Sequence, residues 1–269
     1  MRVLIACFLI AAAAFPASAS AQKATESCKP VYLTFDTGHM GVAPLVADVL
    51  KQRGVRATFF AAQEATKEGD GTLGRHWAPW WKARAAEGHE FASHTWDHAY
   101  WQADLPPAQP GGEARFRIRP SSGAQSGKTL TWTAAQYCAN LQLAADRLVS
   151  ITQRKVLPLF RAAGGKTSPK LLAAAEGCGF KHVGWAPAGF LGDELPSSQY
   201  PNDALLKKAL QDIRPGDILM AHLGIWSRQD PWAPAVLAPL VEGLQARGFC
   251  FRTLREHPDY QGWIAAHGG

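Results

Sequence analysis

The sequence predicts an α/β chain folded as a single distorted (β/α) barrel of about seven parallel strands. Three observations carry that expectation. Short β-rich runs alternate with helical runs from Val31 onward, the order that builds a parallel sheet, either doubly wound or closed as a barrel. Setting aside 21 N-terminal residues of different character leaves 248 of the 269, the usual length of a barrel domain. Neither an internal repeat nor a linker divides those residues into two units.

Residues 1–21 read as a secretory signal peptide. A single positive charge at Arg2 precedes a 13-residue apolar run, and small residues follow, with cleavage after Ala19 or Ala21. The run is shorter than the ~20 residues a membrane-spanning helix needs, and no later segment supplies 18 uninterrupted apolar residues. The elements of 22–269 then follow in order. A strand over 31–36 leads into a helix over 41–53, whose Val42, Leu45, Val46, Val49 and Leu50 repeat at helical spacing. A strand over 55–61 precedes a helix over 73–87 that Gly88 stops, and a third strand covers 89–93. Trp77, Trp80 and Trp81 lie at i, i+3, i+4 spacing, which marks a core face. The proline- and glycine-rich stretch at about 103–131 reads as an irregular insertion. Helix returns over 132–152, strand over 156–160, helix over 168–176 and strand over 180–185. Helix 204–212, strand 217–222, helix 234–247 and strand 249–254 complete the chain.

Hydrophobic residues at 47% against 19% charged exclude a disordered or fibrous chain. The formal net charge of +6 falls to +5 without Arg2, which suits an anionic partner or nothing more than solubility. No cluster of Lys and Arg of the kind that grips nucleic acid is present, so no nucleic-acid partner is expected. Once Cys7 leaves with the leader, Cys28, Cys138, Cys178 and Cys250 remain. An even number in an exported chain implies two disulfides, for which three connectivities are open. No CxxC or CxxH spacing points to a cysteine metal site.

Sites in barrels and open α/β sheets form at the C-terminal ends of strands. The expected first strand ends at Asp36, the third runs into His94, the fourth into Arg161, and the fifth and sixth end at Trp185 and His222. With His98, one carboxylate, three histidines and an arginine thus converge on one rim. Two histidines four residues apart can face one metal ion if the segment turns helically.

Thr34-Phe-Asp36-Thr-Gly, Ala57-Thr-Phe-Phe60 and Glu87-Gly-His-Glu-Phe-Ala-Ser-His94-Thr-Trp-Asp-His98 resemble the polysaccharide deacetylases with a NodB-type domain, carbohydrate esterase family four. Phe160-Arg161 and Ile218-Leu-Met-Ala-His222 follow in the family's order, so the resemblance spans 31–254. It implies a distorted seven-stranded (β/α) barrel. It also implies metal-dependent removal of N-acetyl groups from an amino-sugar polymer, peptidoglycan or a chitin-like glycan. His94 and His98 match the metal-binding histidines, with zinc the expected divalent ion and cobalt or manganese as alternatives. Asp36 matches the catalytic base, Arg161 the residue that orients it and His222 the general acid, while the Gly164 amide would face the oxyanion. The expected protein is a monomer, exported to the periplasm or secreted, where such a polymer lies. Trp96, Trp185 and Trp226 are candidate substrate-binding residues, because flat aromatic faces stack on sugar rings. A non-catalytic glycan-binding protein on a decayed barrel, or a deacylase of another ester or amide, are the competing expectations.

Three departures from the family bear on this reading. Thr37 stands where the family carries a metal-binding aspartate. Water or substrate could fill that position, Asp36 or His39 could lean in, or the metal could be lost. Arg161-Ala-Ala-Gly-Gly165 lacks the family's prolines and aromatic residue. Of a fifth motif rich in Asp and Trp there remain Trp185 and Asp193, the latter a candidate partner for His222. In a barrel the first and last strands are neighbours, so Cys28–Cys250 is the preferred bridge and Cys138–Cys178 the second.

Overall fold

In a computed structural model that describes residues 28–226, 228 and 230–269, β1 (Lys29–Asp36) is the axis of the sheet. The expected signal peptide, 1–21, lies outside the described residues. The last six residues of β1 are buried, as a continuous apolar run covered on both faces requires. β2 (Thr58–Ala61) pairs with one edge of its C-terminal half, and β9 (Ile218–His222) pairs with Tyr32–Asp36. β10 (Phe249–Phe251) takes the N-terminal end, with Pro30 opposite Cys250. β3 (Glu90–Ser93), β7 (Leu159–Phe160) and β8 (Lys181–His182) continue beyond β2. The order is β10-β1-β2-β3-β7-β8 with β9 on β1, seven strands among the described residues, every pairing parallel. Between β8 and β9 the circle is drawn together by a bridge of Phe190 to Met220 and by Ala186 and Leu191 N–H groups donating to β9 carbonyls.

Alternation along these strands positions the site. Val31, Leu33 and Phe35 point outward into the main core, with Phe59, Phe91, Leu219 and Ala221. There they meet α1 (Ala43–Gln52), α2 (Ala78–Ala86) and α6 (Leu237–Ala246). Tyr32, Phe60, Ala92, Leu159 and Ile218 form the inner cluster instead. Two residues on from Ala92 and Leu159, and four on from Tyr32 and Ile218, the inward register reaches His94, Arg161, Asp36 and His222 at the C-terminal rim. The tryptophan stripe is core, as its spacing predicts: Trp77 and Trp81 are buried and Trp80 packs edge-on against Trp81.

The 103–131 stretch is not irregular. β4 (Ala99–Leu105), β5 (Arg115–Pro120) and β6 (Leu130–Thr133) form a separate antiparallel sheet. Its prolines and glycines are spent mostly in the two connections, while Arg-Phe-Arg-Ile-Arg alternates strictly and buries Phe116 and Ile118 against α3 (Ala134–Thr152). α3 starts two residues later than its periodicity predicts. Thr133 caps it in a capping box with Gln136, which leaves Trp132 in β6. α4 (Pro169–Gly177), α5 (Asn202–Asp212) and an unexpected C-terminal α7 (Pro258–Ala266) complete the helices among the described residues. α7 turns Tyr260, Trp263 and Ile264 onto the inner cluster, and Ile264 alone of its residues is fully buried. The bridges are Cys28–Cys250 and Cys138–Cys178, with Cα–Cα distances of 5.6 and 6.2 Å. No helix among the described residues is long and apolar enough to cross a membrane.

Candidate active site

Asp36 closes β1 inside the rim, where its carboxylate is nearly inaccessible. Arg161, fully buried one residue past β7, donates from Nη1 to Asp36 Oδ1 at 2.7 Å. Its Nε and Nη2 donate to the carbonyls of Val183 and Gly184, both at 3.2 Å. Its plane lies 4.2 Å from the Phe60 ring centre and 5.5 Å from that of Trp185. Every edge of the guanidinium is therefore engaged, and one oxygen of Asp36 is fixed. Burial works to raise the Asp36 pKa, but Arg161, His94 and His222 hold it below the ordinary carboxylate range. Asp36 Oδ2 lies 3.6 Å from His94 Nε2.

His94 bonds through Nδ1 to the carbonyl of Arg161 at 2.9 Å, so Nδ1 carries the proton and Nε2 is left as an acceptor or ligand atom. His98 Nδ1 bonds to Ser121 Oγ at 2.6 Å, and the two imidazole centres lie 4.8 Å apart. The four-residue spacing works through a tight turn and not through a helix. Thr95 (φ 63°) and His98 (φ 46°) both take the left-handed conformation that β-branched and bulky residues avoid. Hydrogen bonds hold this turn. Thr95 Oγ1 accepts the Ala99 N–H at 2.8 Å, and Asn140 bonds both the backbone and the carboxylate of Asp97. Burial pushes the His98 imidazole down to about 4, which leaves it neutral.

His222 ends β9 directly beside Asp36, in register with it. Buried Asp193 accepts its backbone N–H at 2.6 Å and faces its ring Nδ1 at 3.1 Å. Burial alone would lower the imidazole pKa, yet the Asp193 carboxylate, with Asp36 and Glu194, raises it to about 9. Two titratable groups on adjacent strands are thus driven in opposite directions, the arrangement that separates a base from an acid.

Thr37 is fully buried and its Oγ1 accepts the Ala62 N–H at 3.1 Å, so the hydroxyl is committed to the backbone of the β2 end. His39 Nδ1 accepts the Gly41 N–H at 2.9 Å, and its ring packs on Trp226 in a neighbouring cleft. Among the described residues no three His, Cys, Asp or Glu side chains form a ready-made metal cage. Two imidazoles with their Nδ1 atoms anchored, next to one carboxylate, nevertheless fit the donor chemistry of a divalent transition metal with open positions.

These groups line a cavity of about 300 Å3 with Gly164, Trp185 and Trp226. Gly164 (φ 63°) has to be glycine, because a Cβ would come within 2.8 Å of the Tyr100 ring. Trp226 is 62% exposed at the mouth. Trp96 is a correction to the sequence expectation: it does not line the cavity but packs against the main core. The left-handed Thr95 turns the chain there, and the Trp96 backbone bonds Asn140 and Gln63. Glu64, Tyr100, Ser121 and Glu194 also line the cavity. Glu64 follows the end of β2 by three residues and lies 3.8 Å from His98 Nδ1, so reading the second strand end would have found it. Ser121 comes into reach only through the β4–β5 pairing, which sequence reading missed.

Comparison with known proteins agrees with the fold. A family model described as polysaccharide deacetylase matches residues 23–183. A chitooligosaccharide deacetylase of Azorhizobium caulinodans is 26% identical over 246 residues, covering 87% of this chain and 97% of that protein. Among solved structures, a family 4 acetyl xylan esterase from Clostridium thermocellum in complex with a cobalt ion superposes with a TM-score of 0.63. It is 20% identical, over 87% of this chain and 92% of that one. A CE4 family pseudoenzyme from Bacillus anthracis gives 0.60 at 17% identity, over 86% of this chain and 66% of that one.

Proposed function

The chain belongs to the polysaccharide deacetylase family, and from that premise we propose that it hydrolyses N-acetyl groups on an amino-sugar polymer. Peptidoglycan is the first candidate and a chitin-like glycan the second. The observation that carries the reading is the side-by-side pair at the rim. Asp36 is fixed by Arg161 through one oxygen, and His222 is fixed by Asp193, in one cavity with His94 and His98. His94 and His98 would hold a divalent cation, zinc first and cobalt or manganese otherwise, which polarises an acetyl carbonyl and lowers the pKa of an attacking water. Asp36 takes the proton of that water on Oδ2, the oxygen that Arg161 leaves free. Arg161 moves no proton; it keeps the carboxylate ionised and aimed. His222 carries its proton on the ring atom not engaged by Asp193 and delivers it to the departing amine. The Gly164 amide lies on the wall where the oxyanion would form, and Trp185 and Trp226 offer faces to the sugar. Two disulfides suit the oxidising periplasm or exterior, where the polymer is found.

A second reading, a glycan-binding protein without catalysis, draws on Thr37, whose hydroxyl is committed to the Ala62 N–H and brings no charge to the site. Acetate release from chito-oligomers and peptidoglycan, with and without Zn2+ or Co2+, separates the two. Metal-stimulated release that disappears in Asp36→Asn is the expected result. Glycan binding without release on either substrate would assign the second reading.

A further inference from the structure

Beside the deacetylation cavity lies a larger one, about 710 Å3, lined by Tyr100, Trp101, Arg117, Arg119, Ser126 and Lys166 among others. Tyr100 and Ser121 line both cavities, so one groove runs from the rim onto the antiparallel sheet. Its floor follows from the alternation of β5. Phe116 and Ile118 are fully buried on one face, which leaves Arg115, Arg117 and Arg119 on the other. Charged residues often guard an edge strand, but β5 is the middle strand, paired on both sides, and has no edge to guard. Lys166 joins the two arginines from the turn after β7, next to the Ala163–Gly165 segment that carries Gly164. Among the described residues no carboxylate forms an ion pair with Arg117, Arg119 or Lys166. Arg119 spends only its Nε, on the carbonyl of Gly127 at 3.1 Å. Asp104 on β4 stands opposite buried Phe116, on the other face of the sheet from Arg117, and its Oδ1 accepts from Trp101 Nε1 and Ser168 Oγ.

We infer that this groove is a subsite for a carboxylate-bearing sugar adjoining the residue that is deacetylated, so that the protein prefers anionic N-acetylated glycans to neutral ones. Three cations without a carboxylate partner repel one another and gain from an external anion. Guanidinium groups are suited to bidentate capture of a carboxylate, and Tyr100, paired with Arg119 on the same face, supplies a flat face for the ring that bears it. The inference rests on the deacetylase reading for the choice of ligand, and it is tested by binding, which does not require turnover.

The test is calorimetric affinity of the whole protein for length-matched ligands. These are neutral chito-oligomers, peptide-free peptidoglycan strands whose carboxylates sit on the sugar, the same strands with carboxyls reduced to alcohols, and strands retaining their stem peptides. Peptide-free strands should bind roughly tenfold tighter than their reduced form. That advantage should shrink with salt and be largely lost in Arg117→Ala/Arg119→Ala, with Lys166→Ala in the same direction. A preference seen only with stem peptides would move the carboxylate from the sugar to the peptide and overturn the sugar assignment. Equal affinity for native and reduced strands would overturn the subsite outright, and that arm needs no variant to fold. Charge-selective binding without acetate release would leave the subsite standing while the hydrolase reading fell.

Discussion

The barrel rim and the antiparallel sheet both gather charge, but they treat it in opposite ways. At the rim the central acid and base are answered from within: buried Asp36 by buried Arg161, and partly buried His222 by buried Asp193. On the sheet, Arg117 and Arg119 are exposed and have no carboxylate partner among the described residues. A buried charge without a partner is expensive, so the rim has to be compensated before any ligand arrives, and its geometry is fixed in advance. An exposed charge in water costs little and can wait for its partner. On the proposed reading the first region serves chemistry on a neutral group and the second recognition of a charged one.

Substitutions at the rim should therefore cost both function and stability. Asp36→Asn is expected to lower acetate release by roughly 10²–10⁴-fold, the range for a lost general base. Arg161→Ala should in addition destabilise the fold by about 3–5 kcal/mol in a denaturant titration, because it strands Asp36 in the interior. An Arg161→Ala protein as stable as wild type would break the comparison on the barrel side.

A smaller effect concerns pH. His222 acts as an acid only while charged, and its pKa stands at about 9. The alkaline limb of kcat should therefore fall near pH 9 and move to lower pH in Asp193→Asn. An unmoved limb would mean that Asp193 does not sustain the charge.

His89, away from the site, carries a second pH signature. Burial and the neighbouring Arg84 depress its pKa to about 4, and its Nδ1 accepts the Ala57 N–H at 3.0 Å. The folded value lies below the unfolded one of about 6.5, so the unfolded chain binds the proton first. Stability is complete above pH 6.5 and falls by about 3 kcal/mol as pH drops to 4. His89→Gln should flatten that part of the stability profile.

The smallest effect belongs to the sheet. Arg117→Ala and Arg119→Ala should each change unfolding free energy by no more than about 0.5 kcal/mol, as exposed substitutions do. A larger loss would show that the arginines hold the sheet together and are not waiting for a ligand.

The same contrast explains how much was legible in the sequence. The rim residues lie at the C-terminal ends of strands, so locating those ends was enough to gather Asp36, His94, Arg161 and His222. The sheet was hidden because prolines and glycines in its connections outweighed a strict alternation only a few residues long over 115–119. Trp96 was misread because its direction depends on the left-handed Thr95, and non-glycine residues give no sequence signal for that conformation. Tyr100 and Ser121 reach the cavity only through strand pairing, whereas Asp193, named from the sequence as a candidate partner for His222, does meet it. The bridges Cys28–Cys250 and Cys138–Cys178 followed once the barrel made the first and last strands neighbours.

The most direct test of the rim as a hydrolytic centre is zinc stoichiometry measured alongside acetate release on one preparation. The account predicts one Zn2+ per chain, lost in His94→Ala and in His98→Ala, with release from N-acetylated glycan rising in proportion to occupancy. Zinc binding that survives both substitutions, or acetate release that ignores occupancy, would contradict it.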